Sequence, residues 1–314
     1  MLLTLSAAFP LHSENLTAVP AHDAKVVRRF ALGGDPHGVA VGDDGTIYVG
    51  LAQPQAVVAI DPKSGAVKKK VVLDSAEIAS TKELVTLRIS GSRLFVANGS
   101  DESATILSLP DLAVLREITI EGEPIRDALP DPRGRYVYLL GRRVHVYDGG
   151  GERELHALDV SDPTAIATNG KTLAVIAGDG AVFFDTSTFT ERSRAPLRTS
   201  GPIDAALFAN DALVTLGANA MHIAAGDAVE RHHICLADGS GPQIATLGPN
   251  GVVLYAERRC DASTAVSSAR ITPLSLYGVS AYALAFDRAA NALVTTERAG
   301  YLTIYKVPRA AVVH

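Results

Sequence analysis

The chain repeats one pattern seven times: an apolar run, a tight turn and a second apolar run, followed by another such pair. Each first turn contains glycine or asparagine, the residue types that best accept the positive φ of a tight hairpin turn. A period of about 40 residues with four short strands per unit is typical of a β-propeller blade. The sequence therefore predicts an all-β fold with four antiparallel strands per blade. The seven turns are Asp44-Gly45, Ser90-Gly91, Arg133-Gly134, Asn169-Gly170, Asn210-Asp211, Asn250-Gly251 and Ala290-Asn291.

The seventh unit is incomplete in the sequence. It supplies three strand patterns, Tyr282 to Phe286, Leu293 to Thr296 and Tyr301 to Val307, and lacks an outer strand. Residues 25–32 carry the outer-strand pattern immediately before the first unit. An open ring would leave unpaired strand edges, so pairing the two ends of the chain removes them. We therefore predict a seven-bladed β-propeller closed by an N-terminal outer strand; an eight-bladed ring would need about 40 more residues.

The repeats define the expected domain organisation. We expect a single propeller domain over residues 25–310, preceded by an N-terminal segment of residues 1–24 and followed by a tail of residues 311–314. The apolar start from Met1 to Pro10 is too short to cross a bilayer, and no transmembrane segment is expected. The N-terminal segment is interpreted as the remnant of an export signal, with Leu2 to Leu11 as the tail of its apolar region, or as a linker, and export is favoured. A periplasmic or secreted location is accordingly favoured over a cytoplasmic one.

Two segments leave alternatives open. Cys235 and Cys260 are compatible with one disulfide in an oxidising compartment and equally with two buried thiols. In the sixth unit, Asp261 to Ala269 is interpreted as a longer loop or as a degraded third strand.

The net charge and the composition limit the classes of partner that the chain is expected to bind. The formal net charge is −5, so no duplex nucleic acid is expected as a partner. The basic run Lys68 to Lys70 lies in a predicted outer strand, where protection of the sheet edge is favoured over a phosphate contact. Apolar residues make up 47% of the chain and charged residues 20%, which suits a large buried core.

The amino-acid sequence of the first unit resembles that of a known protein family. The segments PHGVAVGDDGTIYVG and VVAIDPKSGAV resemble the YVTN-repeat, YncE-like seven-bladed propellers, and the resemblance extends over residues 25–308. WD40 propellers fit less well, because the chain contains no tryptophan. The resemblance implies a binding or scaffold protein, with many members of the family found outside the cytoplasm.

Propellers place ligands where the starts of the inner strands and the loops from second to third strands meet around the central channel. This geometry selects polar residues of both signs, which suit a protein, a peptide or a polar small molecule. The predicted ligand-binding residues are His37, Asn98, Arg126, Asp127, Asp204, Gln243, Arg258, Tyr282 and Arg298. The same loops add Gln53, Asp101, Arg142, Asp179, Glu257 and Glu297.

Several of these residues also have a structural interpretation that competes with a role in ligand binding. His37, between a proline and a glycine, is more often a turn residue that bonds to backbone. Arg126 and Asp127 are expected on opposite faces, where they pair with neighbouring blades. Glu257 and Glu297 are each followed by arginine and are interpreted as solvated loop charges.

An enzyme is the alternative to a non-enzymatic binding or scaffold propeller. His37, Asp204 and Glu257 are the catalytic candidates for a lactonase-like hydrolase or a metal-assisted lyase. The segment DPHGVAV resembles the equivalent part of streptogramin lyase-type propellers, which use a magnesium ion, but only His37 carries over from their pattern. No cofactor and no metal site are predicted for the binding protein, whereas the lyase would require a divalent cation.

Overall fold

The computed structural model describes most of the chain. The described residues are 22–23, 25–73, 85–98, 102–199, 201–217, 219–226, 228–236, 241–257, 268, 270–277, 279 and 281–307. Among them, no helix is long and apolar enough to cross a membrane.

The described residues form seven four-stranded sheets, which are the blades of a β-propeller. Two N-terminal strands, β1 (His22–Asp23) and β2 (Lys25–Ala31), precede the first blade. Blade one contains β3 (Pro36–Val41), β4 (Ile47–Ala52), β5 (Gln55–Ile60) and β6 (Val67–Val72). Blade two contains β7 (Val85–Ser90), β8 (Arg93–Asn98), β9 (Ser103–Ser108) and β10 (Val114–Thr119). Blade three contains β11 (Asp127–Pro130), β12 (Tyr136–Leu140), β13 (Val144–Asp148) and β14 (Glu154–Leu158).

The later blades follow the same order from the channel outward. Blade four contains β15 (Pro163–Thr168), β16 (Thr172–Ala177), β17 (Gly180–Asp185) and β18 (Glu191–Pro196). Blade five contains β19 (Ala205–Ala209), β20 (Ala212–Gly217), β21 (Ala220–Ala225) and β22 (Ala228–His233). Blade six contains β23 (Ala245–Leu247), β24 (Val252–Glu257) and β25 (Thr272–Tyr277), and a short 3-10 helix, Pro249–Gly251, precedes β24. Blade seven contains β26 (Ala283–Asp287), β27 (Ala292–Glu297) and β28 (Tyr301–Lys306). The predicted seven-bladed propeller is confirmed.

The N-terminal strands complete the last two blades. Strand β2 pairs antiparallel with β28 and is the outer strand of blade seven, as the sequence predicted. It also contacts blade one, where Arg28 Nη1 donates a hydrogen bond of 3.2 Å to the Pro62 carbonyl. The Phe30 ring packs so closely on Gly65 that a Cβ at Gly65 would overlap it. Strand β2 therefore fastens the seventh blade to the first.

Blade six departs from the regular pairing. Its strands β24 and β25 run parallel, and β1 is added parallel to β25 as the outer strand. A parallel neighbour requires a long crossover connection rather than a hairpin. The segment from Asp261 to Ala269, interpreted from the sequence as a loop or degraded strand, lies almost wholly outside the described residues.

The core lies between successive blades. Val39 and Val49 of blade one pack in one buried cluster with Val294 and Ile304 of blade seven, and similar clusters join other neighbouring blades. Each fully buried valine or leucine contributes roughly 1.5–3 kcal/mol. Because both faces of the inner and second strands are covered, these strands consist largely of apolar residues.

Candidate functional site

The central channel is crossed by the side chain of Gln243, which precedes β23 in blade six. Its Nε2 donates hydrogen bonds to the carbonyl oxygens of Val39, at 2.8 Å, and Leu87, at 2.9 Å. Its Oε1 accepts a hydrogen bond of 3.0 Å from the Leu87 N–H. Blades two and six are three positions apart, the largest separation in a seven-membered ring. The amide therefore ties opposite sides of the channel together.

Gly38 of β3 makes this crossing possible. A Cβ at this position would overlap the Val85 carbonyl oxygen and lie 2.7 Å from Gln243 Oε1. A glycine is thus required where the backbone of blade one meets both blade two and the crossing amide.

A second crossing is made by Arg88 of β7. Its Nε and Nη2 bind the two carboxylate oxygens of Asp127 in blade three, at 3.3 and 3.0 Å. Nη2 also donates to the Pro242 carbonyl of blade six, at 3.0 Å. Asp127 is fully buried, and Thr86 donates a further hydrogen bond to it. The ion pair therefore joins three blades at the channel.

A cavity of about 690 Å³ lies at one end of the channel, with Gln243 and Arg88 at its inner end. It lies on the turn face, which we define as the face carrying the turns between the first and second strands of the blades. Five blades contribute to it. The lining residues are Val39–Asp43, Leu87–Ile89, Gly91, Ala206, Leu207, Gln243, Ala245–Leu247, Leu284–Phe286, Arg288 and Ala289. A smaller cavity of about 370 Å³ shares Leu247, Phe286 and Arg288 with it.

The cavity walls expose polar groups as well as apolar side chains. Its ionisable lining residues in the described part of the chain are Asp43, Arg88 and Arg288. Arg88 Nη1 donates no hydrogen bond to any described residue, although the rest of its guanidinium is engaged. Arg288 is exposed, and no described residue forms an ion pair with it. The two arginines therefore offer N–H donors to a molecule in the cavity.

The predicted site lies at the opposite end of the channel. We call this the loop face, because it carries the starts of the inner strands and the loops between second and third strands. Of the predicted ligand-binding residues, only Gln243 lines the described cavity. Arg88 and Arg288 were not selected from the sequence. One sequence feature could have identified Arg88: it is the single charged residue of the inner strand Val85–Ser90.

Three of the predicted residues do come together on the loop face. The His37 ring stacks on the Tyr282 ring with centroids 4.6 Å apart, and the Arg298 guanidinium lies 5.0 Å from the centroid of Tyr282. His37 Nε2 lies 3.3 Å from Asp35 Oδ2. His37 is 1% exposed and belongs to β3, so its interpretation as a turn residue was wrong. The stack joins blades one and seven.

Arg126 and Asp204 occupy separate positions. Arg126 Nη2 donates to the carbonyls of Gly141, at 2.7 Å, and Pro163, so its guanidinium holds backbone of blades three and four. Together with the Arg88–Asp127 pair, this matches the expected pairing of Arg126 and Asp127 with neighbouring blades. Asp204 is partly buried in blade five, burial raises the pKa of its carboxyl, and no described residue donates a hydrogen bond to that group.

The interpretation of Glu257 and Glu297 as solvated loop charges was wrong. Both end a second strand, and both are 3% exposed. Burial raises the pKa of the Glu257 carboxyl, although hydrogen bonds from Ser275 and from the Cys235 N–H, at 3.2 Å, oppose the rise. Glu297 pairs with Arg29 of β2. Sequence reasoning missed this because the partners come from distant segments.

The other predicted residues contribute less. Gln53, Arg142 and Asp179 are exposed. Asp101 and Arg258 lie outside the described residues, as does the side chain of Asn98, whose backbone ends β8.

The three catalytic candidates lie in different blades. His37 is in blade one, Asp204 in blade five and Glu257 in blade six, and no described hydrogen bond or ion pair joins any two of them. Among the described residues, no group of three or more histidine, cysteine, aspartate or glutamate side chains has an arrangement that could hold a metal ion.

Comparisons with known proteins show the fold alone. No protein-family model and no curated protein matches the chain. A chain in a crystal structure of the mitotic checkpoint complex is similar with a TM-score of 0.65 and 14% identity, covering 98% of this chain and 97% of that one. A chain of Kuenenia stuttgartiensis hydrazine synthase gives a TM-score of 0.66 at 14% identity, with 90% and 97% covered. Virginiamycin B lyase from Staphylococcus aureus gives 0.64 at 13% identity, with 91% and 100% covered. The chain is thus a seven-bladed propeller whose similar structures include both a checkpoint assembly and a lyase.

Proposed function

We propose that the protein is a non-enzymatic binding propeller that takes a small ligand, or the tip of a partner molecule, into the channel from the turn face. The cavity of about 690 Å³ carries this proposal. Its volume lies in the range typical of small-molecule sites, and its walls combine apolar side chains with polar groups that can orient a ligand. An acid-base reaction would require a positioned pair of titratable groups, whereas the described lining offers one carboxylate and two arginines.

The lining also defines the class of ligand. Leu87, Leu284 and Phe286 suit an apolar body, and Arg88 Nη1 at the inner end suits a hydrogen-bond acceptor. Arg288 adds a positive charge at the mouth. A molecule with an apolar body and one carboxylate suits this lining. Arg88 can donate a charge-assisted hydrogen bond to the carboxylate, and the positive charge of Arg288 attracts it to the mouth.

Family membership is part of the proposal. The sequence of blade one resembles the YVTN-repeat, YncE-like propellers, and the architecture is seven-bladed. Both observations support placing the chain in that family of binding and scaffold propellers. Fold similarity to a lyase does not carry over the lyase's chemistry, since one fold hosts many functions.

Ligand-observed NMR tests the proposed site. The probes are small aromatic and aliphatic carboxylates, each paired with its own primary amide. We expect saturation transfer to carboxylates in preference to amides, and loss of transfer in Thr246→Trp, which fills the cavity. Arg288→Ala is expected to weaken binding about threefold to tenfold, whereas Arg298→Ala on the loop face serves as the matched control and leaves it unchanged. Failure of every carboxylate to bind, or binding that survives Thr246→Trp, overturns the proposal.

An extracytoplasmic location is also proposed. Cys235 is disulfide-bonded, and the chain contains two cysteines in all. Disulfides persist mainly in oxidising compartments, which supports export. Trapping free thiols with an alkylating reagent in intact cells, followed by fractionation, tests this: the expected protein is unlabelled and outside the cytoplasm.

A further inference from the structure

The exposed apolar residues of the propeller are concentrated on one part of its outer wall. Among the described residues, six large hydrophobic side chains are at least half exposed, and all lie on the outer strands of blades seven, one and two. They are Val26 and Val27 of β2, Val67 and Val72 of β6, and Val114 and Leu115 of β10.

Two of these three outer strands, β2 and β6, are strongly basic, although the chain as a whole is acidic. Strands β2 and β6 carry six lysines and arginines and no acidic residue. Arg29 pairs with Glu297, and Lys68 pairs with Asp61 at 3.5 Å. No described carboxylate pairs with the other four, which are Lys25, Arg28, Lys69 and Lys70.

Strand β6 combines this charge with a free edge. It is the last strand of its sheet, so no described strand pairs with the outer side of its backbone. The outer strand of blade four differs, because Arg192 pairs with Asp185 and Arg194 pairs with Glu191. The charges of β18 are therefore neutralised within its own blade, whereas no described carboxylate compensates Lys69 and Lys70 of β6.

We propose that β6 is a docking edge for an acidic, extended segment of a partner protein, which adds to blade one as a fifth strand. An unpaired edge offers backbone hydrogen bonds to an incoming strand. Opposite charges directly across a strand pair are stabilising and like charges are destabilising, so Lys69 and Lys70 favour an acidic strand and disfavour β6 of a second copy. Val67 and Val72, at the two ends of β6, offer apolar contacts to the same segment.

Fluorescence anisotropy of the full chain with a labelled peptide tests this proposal. The probe alternates glutamate and valine over about ten residues, enough to cover one strand. We expect saturable binding that weakens with added salt, because charge pairs at the surface are screened. Lys69→Glu with Lys70→Glu is expected to weaken binding about tenfold or more. Arg153→Glu with Lys171→Glu, an equal charge change at exposed positions of blades three and four, is the matched control and should leave binding unchanged.

A second peptide separates strand addition from simple charge attraction. It alternates glutamate and proline, which keeps the charge but removes every second N–H and disfavours a paired strand. Equal binding of the two peptides overturns the proposal. So does equal weakening by the control variant, or binding to vesicles of phosphatidylcholine and phosphatidylserine through Lys69 and Lys70 in the absence of peptide binding.

Discussion

Arg29 and Glu297 lie 268 residues apart in the sequence and form an ion pair in which Arg29 Nη2 is 2.6 Å from Glu297 Oε2. The carboxylate is buried and also accepts a hydrogen bond from Thr303 Oγ1, whereas the arginine side chain is half exposed. The guanidinium lies 3.9 Å from the centroid of the Tyr301 ring. The pair fastens the N-terminal strand to blade seven, so it joins the two ends of the chain where the ring closes.

Replacing Arg29 by alanine should loosen this closure. The buried Glu297 carboxylate would lose its charged partner, and hydrogen bonds to charged groups contribute about 2 kcal/mol. We expect a loss of that size in the free energy of unfolding, measured by urea denaturation. Arg28→Ala is the matched control, because Arg28 is exposed and donates only to a carbonyl oxygen. Equal losses in the two variants would show that the ion pair adds nothing to closure.

Replacing Gln243 by leucine should destabilise the channel. The variant leaves the N–H and C=O of Leu87 and the C=O of Val39 without their present partner. Each buried unsatisfied group costs about 1–3 kcal/mol, so the unfolding free energy should fall by at least about 2 kcal/mol. Gln53→Leu, at an exposed position, should change it by less than about 0.5 kcal/mol. A Gln243→Leu protein as stable as this control would contradict a tie across the channel.

Gly38→Ala should disrupt the same contacts of Gln243 across the channel, from the backbone of blade one. Its new Cβ would displace Gln243 Oε1 and the Val85 carbonyl, so we expect a loss of at least about 2 kcal/mol. Combined with Gln243→Leu, the losses should be less than additive, because both changes break one set of contacts. Gly150→Ala is the control, since its Cβ would lie 3.4 Å from the nearest atom. Fully additive losses of unfolding free energy in the double variant would show that Gly38 and Gln243 act independently.

Strand β2 and Gln243 show which parts of the fold could be predicted from the sequence and which could not. The closing strand β2 was predictable because the seventh repeat lacks an outer strand and an unpaired edge is costly. The contacts of Gln243 were not, because they join blades six, one and two, and nothing in a local pattern indicates which backbone groups lie across a channel.

The candidate site was less predictable than the fold. The general geometry of propellers pointed to the loop face, whereas the described cavity lies on the turn face and depends on Arg88 and Arg288. Glu257 and Glu297 were placed in solvent because arginine follows each of them. Their burial depends on Cys235, Ser275 and Arg29, which only the folded ring brings close.

Acidification should destabilise the protein through His222 of β21. This histidine is 1% exposed, and burial, aided by the charges of Arg231 and His232, lowers the pKa of its imidazole from 6.5 to about 4. Between these values the unfolded chain binds a proton that the folded chain does not, so stability falls as the pH drops from 6.5 to 4, by up to about 3 kcal/mol. Urea midpoints measured across this range should fall in the wild type and stay flatter in His222→Phe, whereas His156→Phe, at an exposed position of β14, should retain the wild-type dependence. A wild-type slope that persists unchanged in His222→Phe would assign the effect to other groups.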